Sequence, residues 1–111
     1  MSENKLSQCY SDILKNIDII QSLTHNINYV AFSSNTLTHE ATKKALILIN
    51  NSTQELIFIL EPQKPLYPWA MIKALTLQIA EYCQEDNLPM IYEMLQTQLI
   101  AFKETITCLS A

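Results

Sequence analysis

Cys9, Cys83 and Cys108, with His25 and His39, are the side chains of this 111-residue chain best suited to metal or nucleophile chemistry. Their spacing decides what they could do. His39-Glu40-Ala41-Thr42-Lys43 begins like the helix of a zinc protease, in which two histidines one turn apart hold the metal and the glutamate is the base. The second histidine position is Lys43. A di-iron bundle needs a glutamate three residues before each histidine, and Ser22 and Thr36 stand there instead. No C-x-x-C pair occurs. No metal site and no cofactor are expected. For catalysis, any of the three thiols could meet His25 or His39 only through tertiary placement that spacing does not reveal. Glu81, Glu85, Asp86, Glu93 and Glu104 gather in the C-terminal half and read as a solvated acidic rim rather than a catalytic pair. No catalytic residue is assigned, and the chain is not expected to be an enzyme.

Two absences narrow the chemistry further. Glycine is zero, which removes phosphate-cradling loops and the strained nucleophile elbow, because both need backbone positions that only glycine tolerates. All seven basic residues are lysine, so the bidentate fork that reads guanine or phosphate is missing. With a net charge of −4 and no basic stripe, nucleic-acid binding is not expected, since its affinity comes mainly from neutralising phosphates. The opening MSENKLSQCYSDILKN is polar and does not read as a signal peptide. No apolar run approaches the roughly 18 residues of a membrane span. An odd cysteine count without an export signal fits three reduced thiols in a cytoplasm.

The elements that carry these residues read as helices. Leu6, Tyr10, Ile13, Ile17, Ile20, Thr24 and Ile27 recur by threes and fours, a first helix capped by Ser2 and ending near Phe32. Residues 38–60 fit a second helix capped by Thr38. A hairpin over 45–60, with ALILI and LIFIL as strands, is the alternative, although its turn would lack the usual glycine. Pro62 pushes Glu61 out of the helical region. Pro68 opens a third helix with Trp69, Ile72, Leu75 or Thr76, Ile79, and Tyr82 or Cys83 inward. Asp86 or Asn87 caps a fourth, in which Leu88, Ile91, Leu95, Leu99, Phe102, Ile106 and Leu109 form the stripe. The expected fold is all-α, one antiparallel four-helix bundle spanning 1–111.

The segment EPQKPLYPWAMIK raises the question of recognition. Pro62, Pro65 and Pro68 recur every three residues, as in a polyproline II ligand, but a stiff corner between helices explains them better. Within or near it, Leu66, Tyr67, Trp69 and Met71 could anchor a partner, and Met90 and Met94 could add a plastic apolar groove. Val30 and Phe32 are a further candidate for exposed apolar surface. Charged residues make up only 16 % of the chain, and a surface so poor in charge is open to association with another protein or with itself.

TQELIFIL resembles the close of the second long helix in the flagellar export chaperone family of FliS type. MIKALTLQIAEYCQEDNLPMIYEMLQTQLIAFKETI resembles that family's last two helices joined by a short acidic turn. The likeness covers about residues 41–106. Ser52, Thr53 and Ile106 depart from it, and the family's proline-containing N-terminal stretch is absent. It implies a cytoplasmic bundle that holds an amphipathic segment of an exported protein in apolar grooves. The functional expectation is thus a non-enzymatic adaptor or export chaperone. An acidic immunity or inhibitor protein that neutralises a basic toxin or nuclease, and a helical sensor of small apolar ligands, are the alternatives.

Overall fold

The computed structural model describes residues 2–110, with side chains described for residues 4–110. The chain forms α1 (Ser2–Thr24), α2 (Tyr29–Ser34), α3 (Thr36–Leu60), α4 (Trp69–Gln84), α5 (Leu88–Gln96) and α6 (Gln98–Ser110). All are α-helices, so the region once open to a hairpin reading, 45–60, is helical. The preference has a physical basis: Ala45, Leu46, Ile49, Thr53, Leu56 and Leu60 are all buried along one face, a 3.6-residue period that alternating strands would have split between two faces.

Two boundaries differ from the sequence expectation. The first helix stops at Thr24 rather than near Phe32. Thr24 Oγ1 turns back to the Ile20 carbonyl at 2.8 Å, and Asn26 adopts a left-handed φ of 59°. Asn28 then restarts the chain by accepting from the Ala31 amide at 2.8 Å. The last helix is interrupted at Thr97, whose backbone leaves the helical region at φ −128°, ψ −80°. Its apolar stripe nonetheless runs through the break, with Ile91, Leu95, Leu99, Phe102, Ile106 and Leu109 all buried. Without glycine, the two left-handed positions among the described residues fall to Asn26 and Asp86, residue types whose short polar side chains tolerate that conformation.

Caps are supplied mainly by asparagine. Asn35, not Thr38, caps α3 by accepting from the Thr38 amide. Asn87 caps α5 by accepting from the Met90 amide, with Pro89 in the first turn. The Ser2 cap lies outside the described side chains. Helix α3 ends at Leu60, but Glu61 is not pushed out of the helical region: it keeps φ −57°, ψ −43° and its amide still reaches the Ile57 carbonyl. The helix stops because Pro62 has no N–H to offer the next carbonyl. The corner that follows is built of turns: the Gln63 and Lys64 amides both reach the Leu60 carbonyl, and the Tyr67 amide reaches Lys64. These internal hydrogen bonds are foreign to polyproline II.

Cross-helix contacts fix an antiparallel order. Lys5 pairs with Glu55 at 2.8 Å, placing the start of α1 beside the end of α3. Lys73 meets Glu61 at 2.9 Å and the Asn50 amide meets the Thr76 carbonyl at 2.9 Å, which runs α4 back along α3. The Tyr10 hydroxyl donates to the Leu109 carbonyl at 3.4 Å and Lys103 approaches Asp18 at 3.4 Å, so α6 runs back along α1. One cluster of buried side chains joins all the helices. Its most extensive seam lies between α1 and α3, whereas α4 and α6 barely touch. The bundle is therefore closed on three sides and open on the fourth.

Candidate apolar groove between α4 and α6

The open side is a groove. Met71, Ile72, Ala74, Leu75 and Gln78 of α4 face Gln98, Ala101, Phe102 and Thr105 of α6 across a cavity of about 280 Å³. Three kinds of side chain shape it. Leu75 and Phe102 are buried and form its floor, Ala74 and Ala101 are exposed and too short to bridge the gap, and Met71 is 66 % exposed at one end. The antiparallel run sets Met71 towards Thr105 and Gln78 towards Gln98. No charged side chain lines the groove. Gln78 Oε1 is buried without a protein hydrogen-bond partner among the described residues.

The six residues singled out from the sequence do not share a surface. Trp69 is 3 % exposed; its indole N–H donates to the Lys64 carbonyl at 2.6 Å, and its ring lies 5.6 Å from that of Tyr67. It closes the bundle end, because its ring packs with the core while its one donor is satisfied inside the corner. Met94 is likewise in the core. Leu66 is 99 % exposed on the corner, Tyr67 is half-buried against Trp69, and Met90 is exposed on α5. Only Met71 belongs to the groove. Of the other apolar candidates, Val30 is exposed and Phe32 is fully buried, where its ring meets Tyr92 and His39.

Sequence reasoning missed Ala74, Gln78, Gln98, Ala101 and Thr105, since alanine, glutamine and threonine at helix positions look like ordinary surface. One signal was available. Alanine stands at a rim position on both helices, where a larger apolar residue would have closed the seam.

The chemistry-bearing residues do not assemble elsewhere. Burial pushes the Cys9 thiol up from its ordinary range. It does the same for Cys83, against the opposing pull of Lys43. Neither is primed as a thiolate nucleophile. Cys108 is exposed. His25 contacts Asn26, and His39 lies edge-on to Phe32. Among the described residues, no three His, Cys, Asp or Glu side chains are grouped as metal ligands.

The charged residues divide between the two halves. Lys43 joins Glu40 at 2.7 Å and also Asp86; its hydrogen bond to Asp86, then that to Glu40, raises its pKa. The same hydrogen bond from Lys43 holds the Asp86 carboxyl below the ordinary carboxylate range. The expected acidic rim thus loses Asp86 to a clamp between α3 and the α4–α5 turn. Glu81, Glu85, Glu93 and Glu104 remain exposed and form no ion pair among the described residues. No described helix is long and apolar enough to cross a membrane.

Comparison with protein-family models, with curated proteins and with solved structures finds no match to this chain.

Proposed function

We propose that this protein is a non-enzymatic binding module, an adaptor or export chaperone, that buries a segment of a partner protein between α4 and α6. The observation that supports this reading is the open fourth side of the bundle. A four-helix bundle ordinarily buries its apolar faces against one another, yet here the groove above Leu75 and Phe102 is left open by the described residues. The resemblance to flagellar export chaperones fits the same reading from the side of sequence pattern.

The small-ligand alternative draws less support, because a groove of about 280 Å³ falls just under the roughly 300 Å³ of the smallest drug-sized pockets and opens to solvent. The acidic-inhibitor alternative draws on the four glutamates without ion pairs on α4–α6. The two protein-binding modes separate by Ala101→Trp, which blocks a segment held in the groove and leaves a partner held only by the exposed glutamates in place.

Retention of a defined partner on affinity purification from the native source tests the reading. Wild type and a surface control, Leu37→Ser, are expected to retain it, whereas Ala101→Trp, which fills the groove from an exposed position, is expected to release it. Equal retention by Ala101→Trp, or no partner with any of the three, would count against it.

A further inference from the structure

The groove and the charges beside it point to the chemistry of what it holds. On α4, Glu81 follows Gln78 by three residues and Glu85 follows it by seven. At 100° per residue both lie within about 60° of the line of Gln78 along the groove side of the helix. On α6, Glu104 follows Ala101 by three and flanks the groove at its other end. All three are exposed and without a basic partner among the described residues. The two lysines of these helices are engaged elsewhere, Lys73 with Glu61 and Lys103 with Asp18 and Gln21. From residue 69 to 110, Lys73 and Lys103 stand against Glu81, Glu85, Asp86, Glu93 and Glu104. With five acids against two lysines, this part of the chain carries a net charge of −3 out of the chain's −4.

The placement also breaks two local rules. Glu81 and Glu85 are a like-charged i,i+4 pair, which disfavours the helix. Both sit at the C-terminal end of α4, where the helix dipole favours cations. The free protein leaves that conflict unresolved, and conflicts of this kind belong at functional sites. A second copy of the chain would set acid against acid, so self-association through this face is disfavoured.

We infer that the α4–α6 groove seats an amphipathic helix of another protein, its apolar stripe on Leu75 and Phe102 and its flanking Lys or Arg side chains on Glu81, Glu85 and Glu104. This rests on the groove being the binding site. Its deep part runs from Met71 to Gln78 and from Gln98 to Thr105, about two turns of each wall, and takes a similar length of guest. The guest helix would close the fourth side. Ala74 and Ala101 let its backbone approach, and its cations would neutralise the unmatched end of α4.

Two synthetic helical peptides with the same leucine stripe, one flanked by lysine and one by glutamate, provide the test. Fluorescence anisotropy against the full chain is expected to show the lysine peptide binding at least about tenfold tighter at low salt. Ala74→Trp and Ala101→Trp, each at an exposed position, should abolish binding. The triple substitution Glu81→Gln, Glu85→Gln, Glu104→Gln should erase the preference while leaving weak groove-dependent binding. Equal binding of both peptides, blocked by either tryptophan, would overturn the inference and leave the groove reading standing. Lysine-peptide binding that survives both tryptophans and vanishes with salt would overturn both. So would failure of both peptides to bind, unless a native partner is still released by Ala101→Trp, in which case only the charge assignment falls.

Discussion

The seam between α1 and α3 closes and the gap between α4 and α6 stays open, although the helices flanking the gap are the richer in apolar residues. Along the first, Ile13, Ile17 and Ile20 meet Leu46, Ile49 and Leu56, all essentially inaccessible, on helices of 23 and 25 residues. Along the second, helices of 16 and 13 residues present alanine, glutamine and threonine among Met71, Ile72, Leu75 and Phe102. Apolar content does not decide closure. Side-chain volume at the facing positions does, together with helix length, which sets how many such layers stack. The long seam holds the fold and leaves the short one free to bind.

Core truncation is the most forceful way to break that contrast. Ile49→Ala in the closed seam is expected to cost about 2–5 kcal/mol, the usual range for a large-to-alanine change at a fully packed site. Met71→Ala on the groove is expected to stay within about 0.5 kcal/mol, as for exposed positions without special roles. Urea denaturation of the two variants measures both. Comparable losses would mean that the α4–α6 side is packed as tightly as the other.

The bundle end gives a smaller effect. Trp69→Phe keeps most of the buried ring and removes the indole donor to Lys64, and is expected to cost about 1 kcal/mol. Leu66→Ser, three residues earlier but fully exposed, should be neutral by the same measurement. A reversed order would return Trp69 to the partner surface and make Leu66 structural.

Trp69 and Leu66 also show where sequence was legible and where it was not. Pro62 marked the end of α3 and Pro68 the start of α4, but not through the residue before Pro62, since Glu61 keeps helical angles; what stops the helix is that Pro62 has no N–H to continue the ladder. The inward stripe of the C-terminal helices was legible through the break at Thr97, because periodicity survives a local kink that keeps register. The break itself was not, since threonine is ordinary on a helix surface and gives no sign that it will leave the helical region. Trp69 could have closed the end or faced a partner, because an aromatic with one polar atom suits both, and only the position of the Lys64 carbonyl decides between them. The groove was least legible. It is defined by small side chains on two helices far apart in sequence, and what matters there is the absence of volume across a gap.

The helix caps sharpen the comparison at a similar scale. Asn35→Ala and Asn87→Ala should each cost about 1 kcal/mol, but at different places. Asn35 starts α3, half of the closed seam, so its loss should lower the global unfolding free energy. Asn87 starts α5, which leads into the groove wall, so its loss should appear first as faster amide exchange in α5 and α6. Uniform acceleration across all helices in Asn87→Ala would show the open side to be no looser than the rest.

The weakest lever is the clamp between the two halves. Asp86 is faced by Lys43, which donates to its carboxylate, and by His39, whose charge acts in the same direction; Cys83 of α4 lies nearby. Because its folded pKa is depressed, ionised Asp86 favours the folded state at every pH above the unfolded value of about 3.9. That contribution is lost as pH falls from there through the folded value. Lys43 behaves in the mirror sense: its raised pKa contributes below about 10.4 and is lost as pH rises through the folded value. Between these limits the contribution of the clamp does not change with pH, so varying the pH near neutrality does not expose it. Asp86→Asn isolates the acid limb, since asparagine also tolerates the left-handed backbone of this position. Urea midpoints at pH 7 and pH 3 should fall further for wild type than for Asp86→Asn, because the variant has no proton to take up there. Parallel losses would show the clamp to be slack in solution. In that case the α4–α5 turn is tied to α3 by packing alone, and the groove wall it leads into has one restraint fewer than the closed side.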